Sequence, residues 1–96
     1  MARIMGRSRL HVYYSGRVQG VGFRHTVRQT ALGFEVTGTV KNLPDGRVEL
    51  VAEGDRDELA AFQDAIRKSG LGALIRQEQS GWETATGEHR GFVIAH

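Results

Sequence analysis

The apolar residues of this chain change their spacing from two to three-or-four and back again, twice over. That switching limits the elements the chain can form. Leu10, Val12 and Tyr14 alternate with His11, Tyr13 and Ser15, the period of a strand. Residues 16–22 then hold glycines at 16, 20 and 22, which makes them a loop. Phe23, Val27, Thr30, Ala31 and Phe34 keep the spacing of a helix stripe, with Gly33 placed to end it. Alternation returns over residues 36–42, with Val36, Gly38 and Val40 on one face. Leu43-Pro44-Asp45-Gly46 predicts a turn, since proline fixes φ and glycine supplies a positive one. Val48, Leu50 and Ala52 share a face of a strand over residues 47–53, so the two strands read as a hairpin.

Asp55, with Glu58 three residues on, predicts an N-cap close to a capping box. Leu59, Phe62, Ala65 and Ile66 give a second helix its buried stripe, ending near Ser69-Gly70. Residues 73–82 read as a strand with Ile75 inward, and residues 91–95 as a short last strand carrying Phe92 and Ile94. The order β-α-β-β-α-β plus a short fifth strand predicts an α+β, ferredoxin-like sandwich. Its antiparallel sheet would carry two helices on one face. Many unrelated activities use that architecture, so the site must carry the functional argument.

A chain of 96 residues supports one domain, expected over residues 10–96. Residues 1–9, with Arg3, Arg7 and Arg9, read as a flexible basic arm. The absence of cysteine excludes disulfides and thiolate nucleophiles and points to the cytoplasm. No apolar run approaches the roughly 20 residues that cross a bilayer. No apolar stretch follows the first arginines as in a secretory signal, so no membrane partner is expected. A net charge of +2 and few aromatics, mostly at core-like positions, argue against nucleic acid. His11, His89 and His96 show no metal-ligand spacing. Asp45, Glu49, Glu53, Asp55 and Asp57 read as a solvated face rather than a cation site, so neither metal nor cofactor is expected.

The segment Gly16-Arg17-Val18-Gln19-Gly20-Val21-Gly22-Phe23-Arg24 joins the first strand to the first helix. At such a junction several main-chain N–H groups can converge, and the helix N-terminus adds partial positive charge. Arg24, in the first helical turn, carries a planar fork suited to phosphate oxygens. The loop lacks the Gly-Lys-Ser/Thr of a Walker A motif and the spacing of a dinucleotide fingerprint. On these residues alone, a plain glycine-rich turn with Arg24 on a solvated face stays open. Asn42, at the end of the strand before the turn, also reads as a turn former.

The nonapeptide resembles the first signature of the acylphosphatase family, G-x-V-Q-G-V-x-x-R, at Gly16, Val18, Gln19, Gly20, Val21 and Arg24. Gly38-Thr39-Val40-Lys41-Asn42-Leu43-Pro44-Asp45-Gly46-Arg47-Val48, closing at Gly54, resembles the second. With the element order, the likeness spans roughly residues 10 to 95. Thr39 departs from it, standing where members usually carry an aromatic residue, on the strand face opposite Val40 and Asn42. The stretch Ser69-Gly70-Leu71-Gly72-Ala73 lacks a proline that members often carry.

The resemblance implies hydrolysis of acyl phosphates without cofactor or metal, with Arg24 and Asn42 catalytic. It implies phosphate binding by Gln19, Gly20, Val21, Gly22, Phe23 and Arg24, and attack by a water that Asn42 orients. Inorganic phosphate would be product and competitive inhibitor, and the enzyme a monomer. Neither motif contains a base, so the water's proton is expected to pass to the substrate phosphate. His25 adjoins Arg24, but consecutive helix residues point about 100° apart, so it is expected to face elsewhere. Two alternatives remain. One is a non-enzymatic ferredoxin-like module binding RNA or protein, for which the open sheet face offers mainly Tyr13 and His11. The other is a carbamoyl-phosphate-handling domain like those fused to larger maturation enzymes; an end at His96 with no following domain favours a stand-alone enzyme.

Overall fold

The computed structural model describes residues 7–96. Strand β1 (Arg7–Gly16) leads into helix α1 (Phe23–Ala31), then the hairpin of β2 (Thr37–Asn42) and β3 (Val48–Asp55). Helix α2 (Arg56–Lys68) follows, then a 3-10 segment (Gly70–Leu74), β4 (Ile75–Glu83) and β5 (Phe92–Ala95). The sheet order is β4-β1-β3-β2-β5, the expected ferredoxin-like arrangement with an added edge strand.

Strand alternation sends Leu10, Val12 and Tyr14 of β1, Val40 of β2 and Val48, Leu50 and Ala52 of β3 to one face. There they meet Phe23, Val27 and Ala31 of α1 and Leu59, Phe62 and Ile66 of α2 in a single core. Each Val, Leu, Ile or Phe among them contributes about 1.5–3 kcal/mol by leaving water. Phe62 sits at the centre of an aromatic chain, 5.7 Å from both Phe34 and Phe92, and so fastens β5 to α2. Gly38 is required where β2 crosses β3. Its φ is 151°, and a Cβ there would come within 1.9 Å of the Val51 carbonyl oxygen.

The structure corrects several expectations. The sheet is mixed, because β5 pairs parallel to β2, with Val40 opposite Ile94. The chain leaves β4 at one edge, crosses one end of the sheet through residues 84–91, and enters β5 at the other edge. Strand β1 begins at Arg7, so Arg7 and Arg9, assigned to the arm, pair with Asp55 and Glu53 across the ladder. Apolar alternation missed them because neither faces the core: Arg7 is exposed and Arg9 meets Glu53, Glu83 and Glu88. Residues 1–6 of the arm lie outside the described residues. Strand β3 runs on to Asp55, while residues 73–74 belong to the 3-10 segment rather than to β4. The capping box does not form, because the Glu58 carboxylate accepts the Glu35 main-chain N–H at 2.8 Å. Gln63, not Ala65, occupies the fourth buried place on α2, where it donates to Glu78.

Candidate active site

The glycine loop is tied down at both ends. The Arg17 N–H donates to Leu74 O at 3.0 Å, and Val18 drops into the core with 1% exposure. Gly22 then starts α1 in a left-handed conformation, φ 79°. A Cβ there would meet nothing within 4 Å, so conformation rather than space calls for glycine. No side chain caps α1 and no acidic residue stands in its first turn. Its leading N–H groups and the positive end of its dipole are left for something else. Phe23 turns its ring into the core against Tyr14, at 5.2 Å, which leaves Arg24 at the mouth of the helix.

A cavity of about 160 Å³ opens there, lined by Val18, Gly20, Gly22, Phe23, Arg24, His25, Asn42 and Ile94. The two sequence signatures therefore converge on one hollow. Asn42 reaches it as the last residue of β2, and its Oδ1 is buried with no hydrogen-bond partner. Among the described residues no carboxylate pairs with Arg24.

Three residues stand differently from expectation. His25 borders the cavity beside Arg24, because the cavity opens at the end of α1 rather than along its side. Gln19 and Val21 do not line it. The Gln19 side chain instead donates through Nε2 to Leu43 O at 2.8 Å and to Arg47 O at 2.9 Å, and Val21 is 43% exposed. Ile94 and Val18 line the cavity without having been predicted to. Nothing local marks Ile94, whose place follows from the parallel pairing of β5 with Val40.

A larger depression, of about 330 Å³, lies on the open face of the sheet among His11, Tyr13, Gln79, Ser80, Gly81 and Glu83. Its charged groups are already paired. His11 Nε2 lies 2.7 Å from Glu49 and Nδ1 3.0 Å from Glu83. The hydrogen bond from His11 holds the Glu83 carboxyl below its ordinary range. Tyr13 is sandwiched between the His11 ring, at 4.8 Å, and the Arg47 guanidinium, at 4.5 Å. The rings an RNA-binding surface would offer are thus engaged with each other.

Glu53, expected on a solvated face, is fully buried at the far end of the sheet. It accepts from Thr86 N at 2.8 Å, Thr86 Oγ1 at 3.0 Å, Gly87 N at 2.9 Å and Arg9 Nη1 at 3.1 Å. Burial opposes its ionisation, but the N–H donors of Thr86 and Gly87, with Arg9 and the Thr86 hydroxyl, outweigh burial and hold the carboxyl at about 2. Among the described residues no group of three or more His, Cys, Asp or Glu could hold a metal ion, and no helix is long and apolar enough to cross a membrane.

The family model for acylphosphatase matches residues 10–94. The chain belongs to the acylphosphatase family. It is 43% identical over 91 residues to the acylphosphatase of Roseiflexus sp. (strain RS-1), covering 95% of this chain and 98% of that one. It is 46% identical over 88 residues to the acylphosphatase of Syntrophus aciditrophicus (strain SB), covering 92% of each. The crystal structure of acylphosphatase from Bacillus subtilis superposes with a TM-score of 0.84 at 32% identity, over 93% of this chain and 99% of that chain. Both acylphosphatase signatures thus sit on an acylphosphatase fold, and the enzyme reading is favoured over a binding module.

Proposed function

We propose that the chain hydrolyses acyl phosphates to a carboxylate and inorganic phosphate in the cavity between the glycine loop and Asn42. One observation carries this reading: Arg24 and the buried, unpartnered Oδ1 of Asn42 border the same hollow at an uncapped helix N-terminus. The phosphoryl group rests on main-chain N–H groups of the loop and first helical turn, over residues 19–24, with the Arg24 fork across its oxygens. Gln19 and Val21 contribute through main chain alone. These donors are fixed before substrate arrives and neutralise the charge spread over the equatorial oxygens as the P–O bond lengthens.

Asn42 Oδ1 accepts a hydrogen bond from the attacking water and holds it in line with the leaving oxygen. A side-chain amide positions water without taking its proton. The water oxygen bonds to phosphorus as the bond to the acyl oxygen breaks, and that oxygen departs with the electron pair as a carboxylate. The water's proton passes to a phosphate oxygen. A carboxylate is a good leaving group, so no general acid is needed. Inorganic phosphate fits the same cradle and competes with substrate. A chain without cysteine suits the reducing cytoplasm.

The test is benzoyl phosphate turnover by the wild type, Arg24→Ala and Asn42→Ala after EDTA treatment. Each substitution is expected to lower turnover on the order of 10²-fold or more. Arg24→Ala also weakens inhibition by phosphate, and Asn42→Ala leaves it nearly intact. Wild-type turnover in either variant, or equal loss of phosphate affinity in both, overturns this division of labour.

A further inference from the structure

The side chain of Gln19 lies between the two halves of the site without lining it. Its Nε2 donates one hydrogen to Leu43 O and the other to Arg47 O. Those two carbonyls already close the β2–β3 turn. Leu43 O accepts the Gly46 N–H at 3.1 Å, and Arg47 O accepts the Leu43 N–H at 2.8 Å. One amide side chain from the phosphate loop thus straddles the pair of residues that seals the hairpin, and the nearer of them follows Asn42 directly. The Asn42 side chain has no such tether, since its Oδ1 accepts nothing. Where Asn42 points relative to the loop is therefore set by its main chain, and Gln19 fixes that main chain to the loop.

We infer that the Gln19 side chain is a positioning group that sets the distance from the phosphate cradle to the water-orienting Asn42, and that this side chain is not itself a phosphate ligand. The inference rests on the reading of Asn42 given above. Both Gln19 donors are occupied, so none is left to reach a phosphate oxygen. The turn carbonyls each keep a main-chain partner without Gln19, so its loss loosens a spacing rather than stranding a buried group. In-line attack is sensitive to such loosening, because a shift of about 1 Å can cost up to about 10² in rate.

The experiment is a double-mutant cycle on benzoyl phosphate turnover with Gln19→Met and Asn42→Ala, with the inhibition constant of inorganic phosphate measured for every variant. Gln19→Met is expected to lower kcat on the order of tenfold and to leave KM and phosphate inhibition within about twofold. On the Asn42→Ala background it is expected to lower kcat by less than about twofold more, because the residue through which it acts is gone. Gln19→Leu removes both donors and adds no charge to the loop. It is expected to match Gln19→Met, and it carries the cycle if the methionine variant does not fold. Weakened phosphate inhibition with unchanged kcat overturns the inference and makes Gln19 a ligand. Full multiplication of the two losses overturns it too, since Gln19 then acts apart from Asn42. If Asn42→Ala alone keeps wild-type kcat, the water-orienting reading and this inference both fall. A loss in Asn42→Ala with no loss in either Gln19 variant sinks only the inference.

Discussion

The two ends of the sheet treat polar groups in opposite ways. At one end the start of α1 and the end of β2 deliver Arg24 and Asn42 to a hollow where the first turn of α1 holds no acidic residue and Asn42 Oδ1 is buried without a partner. At the other end, Glu53 is just as deeply buried and has four donors from Thr86, Gly87 and Arg9. An unsatisfied buried polar group costs about 1–3 kcal/mol. A fold that satisfies Glu53 so completely and leaves Asn42 open separates the group that holds it together from the group proposed to meet a substrate.

Substitutions at the two ends should therefore separate activity from stability. The largest effect is expected at Arg24. Arg24→Ala should lower kcat/KM more than Asn42→Ala does, since it weakens both ground-state and transition-state contacts to the phosphoryl group. Neither should move the midpoint of thermal unfolding by more than about 2 °C, because no described ion pair is lost. A fall of about 10 °C in either would mean that the site end is also structural.

Glu53→Gln should do the reverse. It leaves Arg9 short of a buried partner and lowers unfolding free energy by about 2–4 kcal/mol in urea titrations, with kcat per folded molecule within about twofold. A large loss of turnover in the folded variant would join the two ends functionally.

The pH dependence of stability comes next. Glu53 has a folded value of about 2 against an ordinary 4.5. Its stabilisation, on the order of 3 kcal/mol, is complete above pH 4.5 and is lost as pH falls towards 2. Acid unfolding of Glu53→Gln should accordingly show a shallower slope through that interval, and an unchanged slope would assign the acid limb to other carboxylates. The smallest effect is expected at His11, whose carboxylate partners are partly exposed. His11→Gln should cost less than about 1 kcal/mol, and a loss above about 2 kcal/mol would give the open face a larger share of stability.

The site end was legible in the sequence because its signals are local. The glycine loop, Arg24 and the start of α1 lie in one short run, and Asn42 stands immediately before a turn that proline and glycine announce. The far end was not legible. The partners of Glu53 are 33 and 34 residues away at Thr86 and Gly87, and an isolated glutamate on a strand looks like a solvated one. The two Gln19 bonds span 24 and 28 residues, so a glutamine beside a glycine loop reads as a phosphate ligand when its amide is engaged elsewhere. The β5 segment was visible as a strand, but its parallel neighbour was not. Period-two alternation sets which face a residue occupies and says nothing about which edge a strand joins.

The parallel docking of β5 has a consequence for synthesis. Arg24 and Asn42 leave the ribosome well before Ile94, which closes the cavity from the edge of the sheet. A nascent chain that has formed its first hairpin already holds Arg24 and Asn42 but still lacks one side of the hollow they border. Completion of the hollow thus waits on β5, which lies farther along the chain than the other elements that line it.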